Sequence, residues 1–384
     1  MRQPDAGLHR NLRRVDVLAL TVNVIVGAGV FAMPSALAAA AGRYSLAVLF
    51  AAFAIVALLA LCLVEVASRF DTTGGPPVYA TAAFGPLAGF AVGWLLALSR
   101  VAAFAAISAI MLDYAAGLFP ALEARWARNT VVTVFIAALA AINLLGVKQG
   151  AGLGNLLTLA KLLPLLPLAA AGLWLAGWQS LPQELPAGPS ALGQAPLLAL
   201  FACFGFEQSA VVAGEMRDPK RDLPAGIVGG VAISCTLYAL VMLACFAAVP
   251  GLATSSRPLA DAAEALTGPV GATIIVAAAV FSCAGGLAGA MLVAPRIFYA
   301  LGRSGDLPRS LAIVHPRRGT PQVAIVVMAL GSWLLTVTGT FVYIATVFVI
   351  ARILTYGATC AAFIALRRSH GTAPVPIPGG NVRG

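Results

Sequence analysis

The chain has 384 residues, of which 60% are hydrophobic and only 10% are charged, and its mean hydropathy is +0.94. Soluble domains carry roughly 25% charged residues, so this composition excludes a soluble globular protein and indicates a protein that crosses the bilayer many times. The net charge of +10 raises the question of a nucleic-acid partner. The placement of the basic residues, given below, argues against that partner, and no nucleic acid is expected.

Ten apolar segments are long enough for a membrane helix, which needs ~20 residues. The predicted spans are 15–41, 44–69, 78–118, 130–147, 150–178, 195–215, 223–250, 268–300, 321–339 and 341–366. Turn-rich segments such as 71–77 and 179–190 separate them. Residues 36–38 resemble the cleavage site of a secretory signal, but the first span is far longer than the ~7–15 apolar residues of such a signal. We interpret it as a membrane helix that is retained.

Basic residues are distributed unequally between the two sides of the predicted bundle. With the N-terminus inside, 17 of the 24 lysines and arginines fall in inside segments, 4 in outside segments and 3 within spans. The positive-inside rule therefore predicts a multi-pass protein of the cell (inner) membrane with both termini in the cytoplasm. The predicted organisation is a cytoplasmic segment 1–14, a first five-helix repeat 15–178, a second, inverted five-helix repeat 195–366 and a cytoplasmic tail 367–384.

The first span contains Gly27-Ala28-Gly29 in the middle of its apolar run. A helix break at this depth is costly, because an unpaired backbone group in the bilayer costs several kcal/mol. A break would free amide groups that can bind an anion, and the half-helix that follows would add its positive dipole end. The alternative is that the small residues only allow close packing against another membrane helix.

The sixth span, which is the first of the second repeat, has its own interruption at Phe204-Gly205-Phe206. Interruptions at corresponding positions of two inverted halves point to a transporter binding site. Glu207 follows at membrane depth, where a carboxylate is a functional candidate by default. Phe201, Phe204 and Phe206 either belong to this site or face lipid, and the sequence does not decide between the two.

Three basic residues lie within predicted spans: Arg100, Lys161 and Arg352. Lys161 lies ~15 Å from the cytoplasmic end of its span at 1.5 Å per residue. It is a fixed cation, a proton carrier or a side chain that snorkels to the interface. The two arginines stay charged and need partners, and for Arg352 we expect a structural pair. The acids available are Glu65, Asp113 and Glu207, and the sequence does not assign the pairs.

Cysteine and histidine give no sign of metal or catalytic chemistry. The six cysteines all lie inside apolar segments and the three histidines fall in predicted loops. Neither set has the spacing of a metal site or of a nucleophile with its base. We therefore expect no metal, no cofactor and no enzymatic activity.

The motifs resemble those of the amino acid–polyamine–organocation (APC) superfamily of permeases. Segment 27–34, "GAGVFAMP", is similar to the first-helix signature, and 201–227 is similar to the sixth helix with its following loop. Segments 72–94 and 281–308 resemble the loop before helix 3 and helix 8 with its cytoplasmic exit. The resemblance covers about residues 12–370. It implies an all-α membrane protein with a five-plus-five inverted repeat (the LeuT-like fold), discontinuous helices 1 and 6, and alternating access.

The resemblance also implies roles for individual residues. The substrate carboxylate is held at the first-helix break and the ammonium by carbonyls of helices 1 and 6. The implied binding residues are Ile25, Gly27, Ala28, Gly29, Phe201, Ala202 and Phe204, with Phe201 as an aromatic gate. The implied gating and coupling residues are Lys161, its neighbour Ser282, the pH-linked Glu207, and Arg100. A lysine in helix 5 is typical of sodium-independent members.

The predicted function is a sodium-independent permease for amino acids or related amines, coupled to protons or working by exchange. The expected partners are an amino acid substrate, protons and the lipid bilayer, and a homodimer is compatible with the resemblance. The apolar site favours a small or apolar neutral side chain. Superfamily members typically have twelve helices, so we expect a truncated product or a natural short form that lacks the last two. This leaves open a second hypothesis, a non-transporting membrane protein such as a solute sensor or an inactive permease.

Overall fold

The computed structural model describes residues 14–70, 75–145, 151–175, 188–207, 219–316 and 318–371. These residues form fourteen α-helices with short 3₁₀ turns between some of them, and no strand occurs among them. The prediction of an all-α membrane fold is confirmed. The helices are α1 Arg14–Ile25, α2 Gly29–Ala41, α3 Ser45–Ala67, α4 Pro76–Phe84, α5 Pro86–Ala116, α6 Arg125–Leu145, α7 Ala151–Leu175, α8 Pro189–Cys203, α9 Pro219–Ala248, α10 Pro258–Thr267, α11 Pro269–Val293, α12 Pro295–Ser304, α13 Gln322–Thr338 and α14 Phe341–His370.

Six helical stretches of the described residues are long and apolar enough to cross a membrane, judged by length and composition. They are Gly29–Ala67, Pro86–Ala116, Arg125–Leu145, Pro224–Ala248, Pro269–Ser304 and Phe341–Ser369. Shorter apolar helices occur at Leu162–Trp174, Leu192–Cys203 and Gln322–Thr338. The first predicted span is divided between α1 and α2, and α8 ends at Cys203 within the sixth. Neither of these two predicted spans therefore forms one continuous membrane-length helix.

Each half of the chain contains a short helix joined to a long one by a glycine followed by a proline. Gly85 links α4 to α5 with φ 91°, and Gly268 links α10 to α11 with φ 78°. Both values lie in the left-handed region that favours glycine. Pro86 and Pro269 each start the helix that follows, at a position where a backbone amide would have no partner within the helix, so proline fits well. The predicted third and eighth spans thus have the same construction, and the division into two five-helix halves stays a prediction.

The interrupted helices lie at the centre of the packing. α1 packs against α9, and α2 packs against α8. The long helix α14 packs against α3, α5 and α8. Most buried side chains are aliphatic or aromatic, but the largest fully buried ones include Arg352, Tyr114, Tyr238 and Tyr356. Polar groups are therefore placed inside an otherwise apolar bundle.

Several helices extend beyond the predicted spans, and the ends of α8 and α14 show why. α8 begins at Pro189, ahead of 195, because proline is well suited to the first turn of a helix. α14 continues past 366 to His370 and stops at Gly371, whose φ is 73°. The carbonyl of Gly371 accepts a hydrogen bond of 2.6 Å from the Arg69 guanidinium, which holds this end of α14 against the end of α3. Residues 208–218, part of the motif after the sixth helix, lie outside the described residues.

Candidate functional site

The backbone leaves helical geometry between α1 and α2. α1 ends at Ile25 and α2 begins at Gly29, so that residues 26–28 form the first-helix break. Two short-range hydrogen bonds hold it, from the Val26 amide to the Val22 carbonyl (2.8 Å) and from the Gly27 amide to the Ile25 carbonyl (2.7 Å). The first amides of α2 lie directly after the break, where a helix has no carbonyls of its own to offer them.

A second break follows α8 and lies against the first. Phe204 is extended, with φ −77° and ψ 153°, and Gly205 has φ 133°. A Cβ atom at Gly205 would lie 2.8 Å from Cγ1 of Val24. Glycine is therefore required here twice, for the backbone conformation and for the contact with α1.

Tyr238 on α9 joins the two interrupted helices. Its hydroxyl donates to the carbonyl oxygen of Ile25 at 2.7 Å and lies 3.1 Å from the carbonyl oxygen of Ala202. A phenol has one proton, so the two carbonyls share one donor. Tyr238 was not among the predicted site residues. The available signal was a tyrosine inside an apolar span, because a buried phenol usually finds a hydrogen-bond partner.

A cavity of about 430 Å³ adjoins the first-helix break. Of the predicted site residues, Gly27, Ala28, Arg100 and Ser282 line it. Asn23 adds a polar side chain, and the rest of the lining comes from small and apolar residues of α1, α5 and the C-terminal part of α11 with the residue after it: Leu20, Val24, Ala103, Phe104, Ile107, Cys283, Gly285, Gly286, Gly289, Ala290, Val293 and Ala294. Its volume lies in the usual range of small-molecule sites. It runs from the break toward the end of the bundle where α1 begins and α11 ends.

The two glycines of the first-helix motif have different surroundings. A Cβ atom at Gly29 would lie 2.8 Å from Cα of Ala202, so Gly29 allows α2 to pack closely on α8. A Cβ atom at Gly27 would meet its nearest neighbour, the carbonyl oxygen of Val24, at an ordinary 3.5 Å. Packing therefore requires glycine at position 29 but not at position 27, which faces the cavity.

The aromatic residues of the sixth helix pack inside the bundle, not toward lipid. The ring of Phe201 lies 5.2 Å from that of Phe348, centroid to centroid, and Phe204 and Phe206 lie 5.1 and 5.3 Å from Tyr356. All three phenylalanines are buried. Their partners belong to α14, so the aromatic contacts connect the second break to that helix. Ile25, Phe201, Ala202 and Phe204 do not line the cavity.

Glu207 binds four groups from three parts of the chain. Its Oε1 lies 2.9 Å from Nη1 of Arg352 and 3.7 Å from Nη2 of Arg100. Its Oε2 accepts hydrogen bonds from the Tyr356 hydroxyl at 2.5 Å and from the Gly205 amide at 3.1 Å. The carboxylate thus ties the second break to α14 and α5.

The other two acids pair elsewhere, which answers the question that the sequence left open. Glu65 lies 3.6 Å from Arg69 and 3.1 Å from Arg367, and so links α3 to α14. Asp113 lies 2.6 Å from Arg128, between α5 and α6. Both buried arginines of the predicted spans therefore meet the same carboxylate, that of Glu207.

Lys161 lies within α7, but its side chain is outside the described part of the structure. α7 packs against α11, the helix that carries Ser282. The predicted contact between Lys161 and Ser282 stays a prediction.

A sequence model of the amino acid permease family matches residues 12–378. The chain belongs to this family. It is therefore a member of the APC superfamily, and the resemblance noted in the sequence is confirmed. With its apolar helices, it is a multi-pass membrane protein.

Curated relatives of the permease are named as transporters. It is 29% identical over 338 residues to a serine/threonine exchanger of Bacillus subtilis, covering 85% of this chain and 76% of the exchanger. It is 30% identical over 332 residues to a chloroplastic cationic amino acid transporter of Arabidopsis thaliana, covering 80% of this chain and 58% of that protein. An uncharacterized transporter of Mycobacterium tuberculosis is 29% identical over 318 residues, which cover 82% of this chain and 70% of that transporter. Family and relatives are transporters, which indicates transport and not enzymatic catalysis.

Proposed function

We propose that this permease carries amino acids across the membrane by alternating access, with the substrate held in the cavity beside Gly27 and Ala28. The observation that supports this most directly is that the cavity reaches a helix break. The amides at the start of α2 and the positive end of its dipole favour a bound carboxylate there. The glycines of α11 leave space for a small side chain, as a neutral amino acid would need.

The substrate ammonium is assigned to carbonyl oxygens at the break, which it would reach only when the break opens, because Ile25 and Ala202 do not line the cavity in the structure. The Ile25 carbonyl accepts hydrogen bonds from the Gly27 amide and the Tyr238 hydroxyl. A carbonyl oxygen has two lone pairs, so an ammonium must compete with one of these donors. If it displaces Tyr238, the hydroxyl remains within reach of the Ala202 carbonyl. Substrate binding would then change the connection between the two interrupted helices.

The proposed motion uses the breaks as hinges. Because α1 and α2 are separate helices, either can tilt while the other stays packed. Phe201, which contacts α14, is assigned to the gate, and Glu207 holds the second break while the gate moves. Ser282 lines the cavity, and we assign it a hydrogen bond either to the substrate or to Lys161.

Sodium-independent transport, by proton coupling or exchange, is proposed from the helix-5 lysine, Lys161. A lysine at membrane depth would lose its proton more readily than one in water, because desolvation disfavours the charge. We further propose that the chain consists of two five-helix halves, at 15–178 and 195–366, and that both termini are cytoplasmic. The permease would lie in the inner membrane and form a homodimer.

The test is counterflow of labelled amino acids into proteoliposomes that contain the purified permease. We expect uptake of small neutral amino acids when sodium is replaced by choline. A sodium requirement would contradict the coupling proposal alone. Binding of amino acids without flux would favour a solute sensor. A folded protein that neither binds nor transports any amino acid would overturn the proposed function.

A further inference from the structure

Arg100 borders two different environments. Its guanidinium lies 3.7 Å from Glu207 on one side, and its side chain lines the cavity on the other. The side chain is 22% exposed, against 2% for Arg352 and 4% for Glu207. Arg100 is therefore the member of this buried ion cluster that can meet a molecule in the cavity.

Glu207 neutralises Arg100 only weakly. The carboxylate accepts its short contacts from Arg352, Tyr356 and the Gly205 amide, at 2.5–3.1 Å, and the contact with Arg100 is the longest of the four. The Nε atoms of Arg100 and of Arg352 both have no hydrogen-bond partner among the described residues, so it is the longer distance to Glu207 and the greater exposure that distinguish Arg100. With two arginines and one carboxylate ionised, the cluster has one net positive charge. Because Arg352 is the closer partner of Glu207, the unneutralised positive charge of the cluster lies mainly on Arg100.

The cavity offers nothing to balance this charge. Among the described residues that line it, Arg100 is the single charged side chain, and there is no aspartate or glutamate. Asn23 and Ser282 are its uncharged polar side chains and the remaining lining is mostly apolar, so no fixed negative charge of the described lining offsets Arg100.

We propose that Arg100 determines the charge selectivity of the cavity: neutral amino acids and those with a second carboxylate bind, and those with a cationic side chain are rejected. This rests on the proposed function. A side-chain carboxylate gains an ion pair with Arg100, whereas a side-chain ammonium meets a like charge with no acidic group of the described lining beside it. Family membership does not decide the matter, because relatives include both a serine/threonine exchanger and a cationic amino acid transporter.

The experiment is competition against counterflow of a labelled small neutral amino acid in proteoliposomes. Two pairs of competitors are matched in size and differ in charge: glutamine with glutamate, and norleucine with lysine. For the wild type we expect glutamate to compete within about threefold of glutamine, and lysine at least ~100-fold more weakly than norleucine.

Arg100→Gln removes the charge and keeps a polar side chain, and Arg100→Lys keeps the charge. Glu207 retains Arg352, Tyr356 and the Gly205 amide in both, so the fold should survive. In Arg100→Gln we expect the norleucine-to-lysine ratio to fall, and glutamate to weaken relative to glutamine, each by roughly tenfold or more. Arg100→Lys should restore both ratios. Arg128→Gln, which breaks the Asp113 pair away from the cavity, is the matched control and should leave them as in the wild type.

Two wild-type results would overturn the proposal while the transport function stands: lysine competing as well as norleucine, or glutamate excluded as strongly as lysine. Both comparisons use the wild-type protein, so they do not depend on whether a variant folds. Wild-type ratios in a folded Arg100→Gln protein would also overturn it. If no amino acid competes or is transported, the proposed function itself fails.

Discussion

The hydroxyl of Tyr238 lies 2.7 Å from the carbonyl oxygen of Ile25, the last residue of α1. The two residues are 213 positions apart in the chain, and both are buried. The same hydroxyl lies 3.1 Å from the carbonyl of Ala202, close to the end of α8. One side chain of α9 therefore connects the ends of both interrupted helices at the point where their carbonyls lack helical partners.

Replacing Tyr238 by phenylalanine removes this donor and nothing else. We expect the variant to lose about 1–3 kcal/mol of stability, because a buried carbonyl is left with fewer partners. Substrate affinity should also change, since the proposed ammonium no longer competes with a hydroxyl. Thermal unfolding in detergent and counterflow measure the two effects.

Tyr343→Phe is the matched control, because this tyrosine is 58% exposed. It should unfold like the wild type. If Tyr238→Phe and Tyr343→Phe both match the wild type in stability and affinity, the contacts of the Tyr238 hydroxyl with the Ile25 and Ala202 carbonyls have no energetic importance.

Alanine at Gly29 and alanine at Gly27 should behave differently, although the two glycines belong to one motif. At position 29 the new methyl group would lie 2.8 Å from Cα of Ala202, so α2 and α8 must separate. Overpacking of this kind costs about 1–3 kcal/mol. We expect a lower unfolding temperature and a lower yield of folded protein for Gly29→Ala.

At position 27 the nearest atom is at 3.5 Å, so Gly27→Ala should fold normally. The methyl group would enter the cavity, and we expect weaker substrate binding in counterflow competition. Equal stability losses in the two variants would contradict this distinction.

Arg352 and Arg100 contact the same carboxylate, but their removal should not cost the same. Arg352→Gln breaks a 2.9 Å pair in which both side chains are almost fully buried, and such a loss typically costs about 3–5 kcal/mol. Arg100→Gln removes a 3.7 Å contact of a partly exposed side chain, so we expect a distinctly smaller loss. Thermal unfolding compares them, and a double-mutant cycle with Glu207→Gln isolates each pair. A larger loss for Arg100→Gln would show that Arg352 is not the main partner.

Lys161→Ala tests the coupling proposal. If Lys161 carries the coupled proton, the variant should lose pH-driven accumulation while it keeps most of its substrate binding. Two quantities are measured: substrate accumulation at external pH values from about 5 to 8, and equilibrium substrate binding. In this pH range an exposed lysine stays protonated, whereas a desolvated one can lose its proton. Lys220→Ala, at the start of α9, is the control. Accumulation in Lys161→Ala that matches the wild type would remove the lysine from the mechanism.

The features that the sequence determined are local ones. Long apolar runs predict membrane helices because a helix satisfies its own backbone in lipid. Gly27-Ala28-Gly29 and Gly205 predict breaks because glycine weakens a helix wherever it is placed. The paired positions of these breaks pointed to a binding site, and the cavity adjoins the first of them.

The partners of the charged and polar residues depended on the tertiary structure. Three acids and two buried arginines gave several pairings, and the choice of Glu207 for both arginines follows from how α5 and α14 meet the second break. Gly27 and Gly29 are the same residue type, two positions apart in one motif, yet Gly29 packs against Ala202 whereas Gly27 faces the cavity. Tyr238 was marked in the sequence only as a tyrosine inside an apolar span, which does not tell which carbonyls its hydroxyl meets. A local sequence specifies where a backbone can bend, but which groups meet at the bend depends on helices that are distant in the chain and become neighbours only in the packed bundle.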